Sequence, residues 1–214
     1  MSDLKNLPNE LPIFPLSNFI IFPDTTVPLN IFEPRYIQMI DDCMKSNRII
    51  GMIQPKKTGD LKKPDLYDVG CSGKITSFNE TDDGRYLVIL NGISRFKVTK
   101  EINSKKLYRI CNVNYENFPN DLNKKKQNLK FSNLEMIFKD LKSFFEKKGY
   151  AINWTELKNQ DLDYTINTLS MASPFSLEEK QTLLESINIE ERKAKLEKIL
   201  KTYTADEFGN RTIQ

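Results

Sequence analysis

Along the first half of the chain, apolar residues come in short runs or alternate with polar ones; along the second half they recur at three- and four-residue intervals. These are the periods of strands and of helices. From Leu11 to about Glu116 the reading is mostly strand. The stretch LPIFPLSNFIIFPDTTVPLNIF mixes β-favouring residues with prolines at 12, 15, 23 and 28. Proline cannot donate to a ladder, so these strands are expected to be short, edge-like or bulged. After Glu33 the period changes. Pro34 suits the first turn of a helix, and Tyr36, Ile37, Ile40, Cys43 and Met44 follow at helical spacing, with Asn47 as the expected stop. RIIGMIQP then resumes as a buried strand.

A hairpin is predicted where CSGKITSFNE and RYLVILN flank TDDG, a sequence suited to chain reversal. Asn91-Gly92 predicts a second tight turn into ISRFKVTKEI, where alternation sends Phe96 inward and Arg95 and Lys97 outward. LYRICNVNYEN is the last strand. Residues 118–128, rich in Asn and Lys, read as a linker. Beyond them Leu134, Ile137, Phe138, Leu141, Phe144 and Phe145 mark one helical face, and Gly149 ends it. A short helix starts near Trp154, another follows through Leu162, Ile166 and Leu169, and Ser176 with Glu179 forms a capping-box pattern before Leu183, Leu184 and Ile187. Asn188 is placed to cap the last helix, with Leu196, Ile199, Leu200 and Tyr203 on its apolar face and a frayed tail from Thr204. The fold class is therefore α+β. Residues 1–117 make a β-rich barrel-like part with one inserted helix, 118–128 a linker, and 129–214 a bundle of four or five helices.

Composition narrows the function more than the fold. A chain of 214 residues, 39% apolar and 29% charged, has the make-up of a folded globular protein, and at this length about 70% of the unfolded surface is buried. The longest apolar runs, such as residues 19–22, are far too short to cross a bilayer. The start, MSDLKNLPNELP, has no basic cluster or apolar segment of a signal peptide, so a cytoplasmic location is the default and no membrane contact is expected. Histidine is absent, which removes Ser-His-Asp and Cys-His nucleophile systems and imidazole bases. Cys43, Cys71 and Cys111 stand far apart and read as buried apolar side chains, not as metal ligands or a disulfide framework.

The remaining chemistry is sparse. No phosphate-binding G-x-x-x-x-G-K-[ST] run occurs; Gly70 and Gly73 precede a strand instead of a helix and read as a bend or bulge. The pairs Asp41-Asp42, Asp82-Asp83 and Glu190-Glu191 are adjacent in sequence, which is not the across-a-cleft arrangement of acid–base catalysis. No catalytic residue, cofactor or metal is expected, and the chain reads as a non-enzyme. The net charge is +3, but residues 121–150 hold eight lysines against four acids, a local +4 that leaves −1 elsewhere. This stretch is a solvated helix face or a contact for phosphate or an acidic partner.

The run LPIFPLSNFIIFPDTTVPLNIFEPRYIQMI resembles the opening of the N-terminal, substrate-binding domain of Lon ATP-dependent proteases. The likeness continues through IIGMIQP, DVGCSGKI and DGRYLVILNGISRFKV and, more loosely, to about residue 203. Glu33, Arg35 and Tyr36 match the family's most recognisable motif, and Arg95 and Phe96 its second; they are the candidate binding or structural residues. The chain ends before the ATPase and protease parts of a full-length Lon would begin and looks like a stand-alone version of the domain. The resemblance implies a PUA-like pseudo-barrel followed by a helical bundle. It also implies a non-catalytic adaptor or client-binding role toward unfolded or apolar polypeptide segments, with a protease or chaperone as a further candidate partner. The alternative is a PUA-like nucleic-acid or ribonucleoprotein accessory factor. The residues themselves favour a structural role for the motif: Pro34 starting a helix, Glu33 capping it, and the Arg35 guanidinium held by a carboxylate or carbonyls.

Overall fold

The computed structural model describes residues 7–57, 63–122, 135–147, 149–150, 153–158 and 160–209. The chain forms two compact units, Met1–Lys125 and Lys126–Gln214. The first contains β1 (Glu10–Pro15), β2 (Thr26–Ile31), α1 (Pro34–Met44), β3 (Ile49–Pro55), β4 (Leu66–Glu80), β5 (Tyr86–Ile102) and β6 (Arg109–Asn114). The strand order is β2-β5-β4-β3-β1-β6, and β6 pairs back onto β5. Five strands therefore close a ring, with β2 attached outside it. β5 makes this possible by its length. Its first part, Tyr86 to Asn91, pairs with β2, and its last part, Lys97 to Ile102, pairs with β6. β1 and β3 run parallel and every other pair is antiparallel.

The ring is filled by Leu11, Ile13, Ile49, Ile53, Phe96 and Cys111, with Val113 and Tyr115. β3 is buried at every position, as the apolar run Ile49–Ile53 implies, and Gln54 is buried with it. Close packing dictates glycine at Gly70: a Cβ there would lie 2.4 Å from the Met52 carbonyl oxygen and 2.6 Å from the Phe96 ring.

The expected tight turn at Asn91-Gly92 does not form. β5 runs through it, and the register steps from Ser72 opposite Ser94 to Gly73 opposite Gly92, so Ile93 is an extra residue in a bulge. Gly92 serves a close approach instead. Its N–H donates to the Thr25 carbonyl at 2.8 Å and its carbonyl accepts from the Asp24 N–H at 3.0 Å. A Cβ at this position would lie 2.0 Å from the Phe22 carbonyl oxygen. The Phe22–Thr25 turn is itself tied by the Thr25 hydroxyl, which donates to the Phe22 carbonyl at 2.6 Å and accepts from the Phe22 N–H at 3.1 Å. The TDDG hairpin forms as expected, with the Thr81 N–H donating to the Arg85 carbonyl.

Pro34 opens α1 as expected, but Glu33 does not cap it: its side chain accepts no helix N–H, because Arg35 takes the carboxylate. The linker expected at 118–128 begins with residues that pack on the first unit, since Phe118 is buried and Asp121 pairs with Arg95. Residues 123–134, which include Leu134 and four of the eight lysines of the 121–150 stretch, lie outside the described residues.

The second unit holds α2 (Glu135–Lys147), α3 (Trp154–Lys158), α4 (Leu162–Ala172), α5 (Leu177–Leu184) and α6 (Ile189–Gly209). α6 packs against α2, α4 and α5 around Leu141, Phe144, Phe145, Leu169, Leu183 and Leu196. Phe144 and Phe175 stack at 5.7 Å, and Phe175 stacks on Tyr203 at 5.9 Å. Ser176 and Glu179 form the complete capping box, and the Asn188 side chain accepts the Glu191 N–H at 2.8 Å. Two boundaries differ from expectation. α5 ends at Leu184, so Ile187 falls in the following turn and is 60% exposed. The backbone of α6 stays helical to Gly209, well past Thr204.

Candidate functional site

The start of α1 forms one wall of a cleft of about 640 Å³ in the first unit. Opposite lie the end of β5, the 103–108 loop and Arg109 at the start of β6; β1 supplies Ile13 and Pro15. Helix α1 begins here because Pro34 presets its first turn, so residues 33, 35 and 36 all reach the cleft. Arg35 donates through Nε at 2.9 Å to Oε2 of Glu33, and its NH2 lies 2.7 Å from the same oxygen. Both side chains stay substantially open to solvent, at 37% and 41%. The guanidinium also lies over the Tyr36 ring, 4.6 Å from its centre. Tyr36 is buried edge-on against Phe14 at 4.5 Å, and that burial raises its phenol above the ordinary range.

Across the cleft, Glu101 accepts Arg109 in a two-pronged contact, Nε at 3.2 Å and NH2 at 2.7 Å, with Lys63 at 3.0 Å. Partial burial pushes the Glu101 carboxyl up, but the bonds from Arg109 and Lys63 outweigh it and hold it below its usual value. Arg109 spends NH1 on the Pro64 carbonyl at 2.6 Å. The 103–108 loop is tied to α1 by three bonds. Lys106 and the Tyr108 hydroxyl each donate to Asp42 at 2.8 Å, and the Leu107 N–H donates to Gln38 at 2.9 Å. Those bonds from Lys106 and Tyr108 depress Asp42, while burial and the Asp42 carboxylate raise the Tyr108 phenol. The lining thus combines apolar surface with charges held in pairs: Arg35, Lys63, Lys106 and Arg109 against Glu33 and Glu101.

Of the five residues singled out in the sequence, Glu33, Arg35 and Tyr36 meet in this cleft. Arg95 and Phe96 do not. Arg95, expected to point to solvent, is 2% exposed. Alternation placed it correctly on the face opposite Phe96, but that face is covered: the chain after β6 folds back so that Asp121 takes the guanidinium and Phe118 lies 4.2 Å beneath it. Phe96 fills the ring. Glu101, Lys106, Tyr108 and Arg109 were missed, because the cleft joins the last strand to a helix seventy residues earlier and no local spacing records that. The free cysteines Cys43, Cys71 and Cys111 are buried as expected, and burial pushes the Cys43 thiol up to about 12. Among the described residues no group of three or more His, Cys, Asp or Glu is placed to hold a metal, and no helix is long and apolar enough to cross a membrane.

A closed ring of five strands that carries a charged cleft, together with a helical unit, defines an α+β protein. The chain belongs to the family of ATP-dependent protease La (LON) substrate-binding domains, whose model matches residues 10–202. It is 26% identical over 196 residues to the Lon protease of Buchnera aphidicola, covering 90% of this chain and 25% of that protein. To the Lon protease of Flavobacterium johnsoniae it is 27% identical over 195 residues, covering 88% and 23%. The chain thus spans about a quarter of the length of these curated relatives. In fold it is similar to the crystal structure of a Lon N-terminal domain protein from Xanthomonas campestris, with a TM-score of 0.62 and 21% identity over 90% of this chain and 97% of that one. It is also similar to the N-terminal domain of the Mycobacterium avium complex Lon protease, with a TM-score of 0.59 and 14% identity over 90% and 98%.

Proposed function

We propose that this chain is a non-catalytic polypeptide-binding module of the cytoplasm that holds unfolded or apolar segments as an adaptor or client-binding protein, with a protease or chaperone as its working partner. The observation that carries this reading is the match of residues 10–202 to a substrate-binding domain family. The cleft supports it. A lining that combines apolar surface with paired charges suits an extended chain, whose side chains and backbone present both kinds of group. Glu33, Arg35 and Tyr36 act there as binding residues, whereas Arg95 and Phe96 act through the architecture of the ring.

The test is photo-crosslinking of the purified chain to an unfolded apolar client, with and without ribonuclease. Crosslinks well above those of an unrelated folded protein, unchanged by ribonuclease, are the expected result. Capture no greater than that control overturns the reading, and capture that ribonuclease abolishes transfers it to the nucleic-acid alternative.

A further inference from the structure

We propose that the cleft beside the start of α1 selects an extended polypeptide segment in which an acidic side chain adjoins an apolar one. This rests on the polypeptide-binding reading and adds a chemical code to it. The charge balance sets the first half of the code. Four basic side chains line the cleft against Glu33 and Glu101, and Asp42 behind Lys106 offsets one more, so the remaining single positive charge attracts an incoming carboxylate and repels an incoming lysine. Two of the four have capacity to respond. Lys63 and Lys106 keep side-chain exposures of 69% and 47% while each meets one carboxylate, Glu101 and Asp42 respectively. An ammonium group carries three donors, so a second acceptor can be added without breaking the first contact. Those existing contacts also hold the ammonium groups in place before binding, which lowers the ordering cost of association.

Apolar surface sets the second half. Leu107 stands 63% exposed on the loop between Lys106 and Tyr108, and the half-buried Pro15 and Leu16 line the same cleft. An uncharged apolar segment would cover the ammonium groups and strip their water without compensation. A purely acidic segment would leave Leu107 in water. Only a segment with both kinds of side chain satisfies both kinds of wall, and the volume of about 640 Å³ lies in the range of sites that enclose a ligand. The outer face of β2 and β5, with Phe32, Leu87 and Ile89 exposed, is the natural comparison surface.

The test uses fluorescent, C-terminally amidated short peptides that differ only in a central Leu-Asp, Leu-Asn or Leu-Lys pair, titrated against the full chain by anisotropy. The Leu-Asp peptide is expected to bind roughly three- to tenfold more tightly than Leu-Asn, the span given by one or two part-exposed charge contacts. The preference should vanish in the double variant Lys63→Gln/Lys106→Gln and survive in Leu87→Ser. At about 0.5 M salt it should shrink on the unaltered chain, which keeps the proposal testable should the double variant lose its fold. Equal binding of the Leu-Asp and Leu-Asn peptides, or a preference untouched by the double variant, overturns the code and leaves the polypeptide-binding reading standing. Absence of binding by every peptide, together with no crosslinking to an unfolded client, overturns both.

Discussion

Asp121 grips Arg95 at three points: Oδ2 accepts the Arg95 backbone N–H at 2.8 Å and its Nε at 2.9 Å, and Oδ1 accepts NH2 at 2.7 Å. Both side chains are nearly sealed from water, at 3% and 7% exposure. Removing one member of such a pair strands a buried charge, which costs about 3–5 kcal/mol. Asp121→Ala is therefore expected to lower the stability of the first unit by that amount, and Arg95→Met/Asp121→Ala by less than the sum of its single variants. The only tryptophan, Trp154, sits in the second unit, so tyrosine near-ultraviolet circular dichroism and amide exchange along β5 are the measurements to follow in urea. A double variant costing the full sum would show that the two residues do not act together.

Gly92→Ala should be among the most damaging one-carbon changes in the chain. The added Cβ meets the Phe22 carbonyl oxygen at 2.0 Å and its carbon at 2.8 Å, so the Phe22–Thr25 turn must move and lose its two bonds to β5. A loss of more than about 2 kcal/mol is expected from that mechanism. Gly84→Ala is the control. Nothing lies within 4 Å of its Cβ, and the cost is that of a φ of +78 alone, roughly 1–2 kcal/mol. Thermal denaturation of the two variants side by side checks the order.

Ser176→Ala removes one arm of the capping box at the head of α5. The expected loss is about 1 kcal/mol, read from Trp154 fluorescence during urea unfolding. Amide exchange along β3, in the first unit, is the internal comparison.

The loop that walls the cleft carries a pH dependence through Asp42. Hydrogen bonds from Lys106 and Tyr108 hold this carboxyl below its ordinary 3.8. The tie is accordingly present in full above pH 3.8 and is lost as pH falls through the lower, folded-state value. Amide exchange at Leu107 should therefore rise relative to that of β3 only as pH falls below 3.8. Asp42→Asn should raise it already at neutral pH and remove the acid step. An unchanged exchange rate at Leu107 in the variant would mean that the loop is held by other contacts.

Local periodicity made the order of elements legible, and it did so where one residue's neighbours in sequence are also its neighbours in space. The strand-to-helix change at Pro34, the TDDG hairpin and the Ser176 capping box are all of this kind. Asn91-Gly92 was misread because glycine after asparagine favours a turn locally, whereas here it is the distant Phe22 carbonyl that demands a missing side chain. Arg95 was misread for a related reason. Alternation tells which face a residue occupies, and only Asp121, in a stretch that looks like linker, decides whether that face is wet. The cleft was half legible. Glu33, Arg35 and Tyr36 declared themselves as a dense tetrapeptide with Pro34, while Glu101 and Arg109, eight residues apart on the neighbouring strands β5 and β6, reach that tetrapeptide's cleft only through the fold.

Closure of the ring has a kinetic meaning. β1 lies between β3 and β6, with Glu10 opposite Asn112, so its last neighbour is the final strand of the unit to leave the ribosome. Until then Leu11 and Ile13 belong to an unclosed edge, and closure must await a contact between chain segments about as far apart as this unit allows. Such topologies fold slowly and expose sticky intermediates meanwhile. Closure of the ring is therefore expected to be slower than formation of the local β4–β5 hairpin.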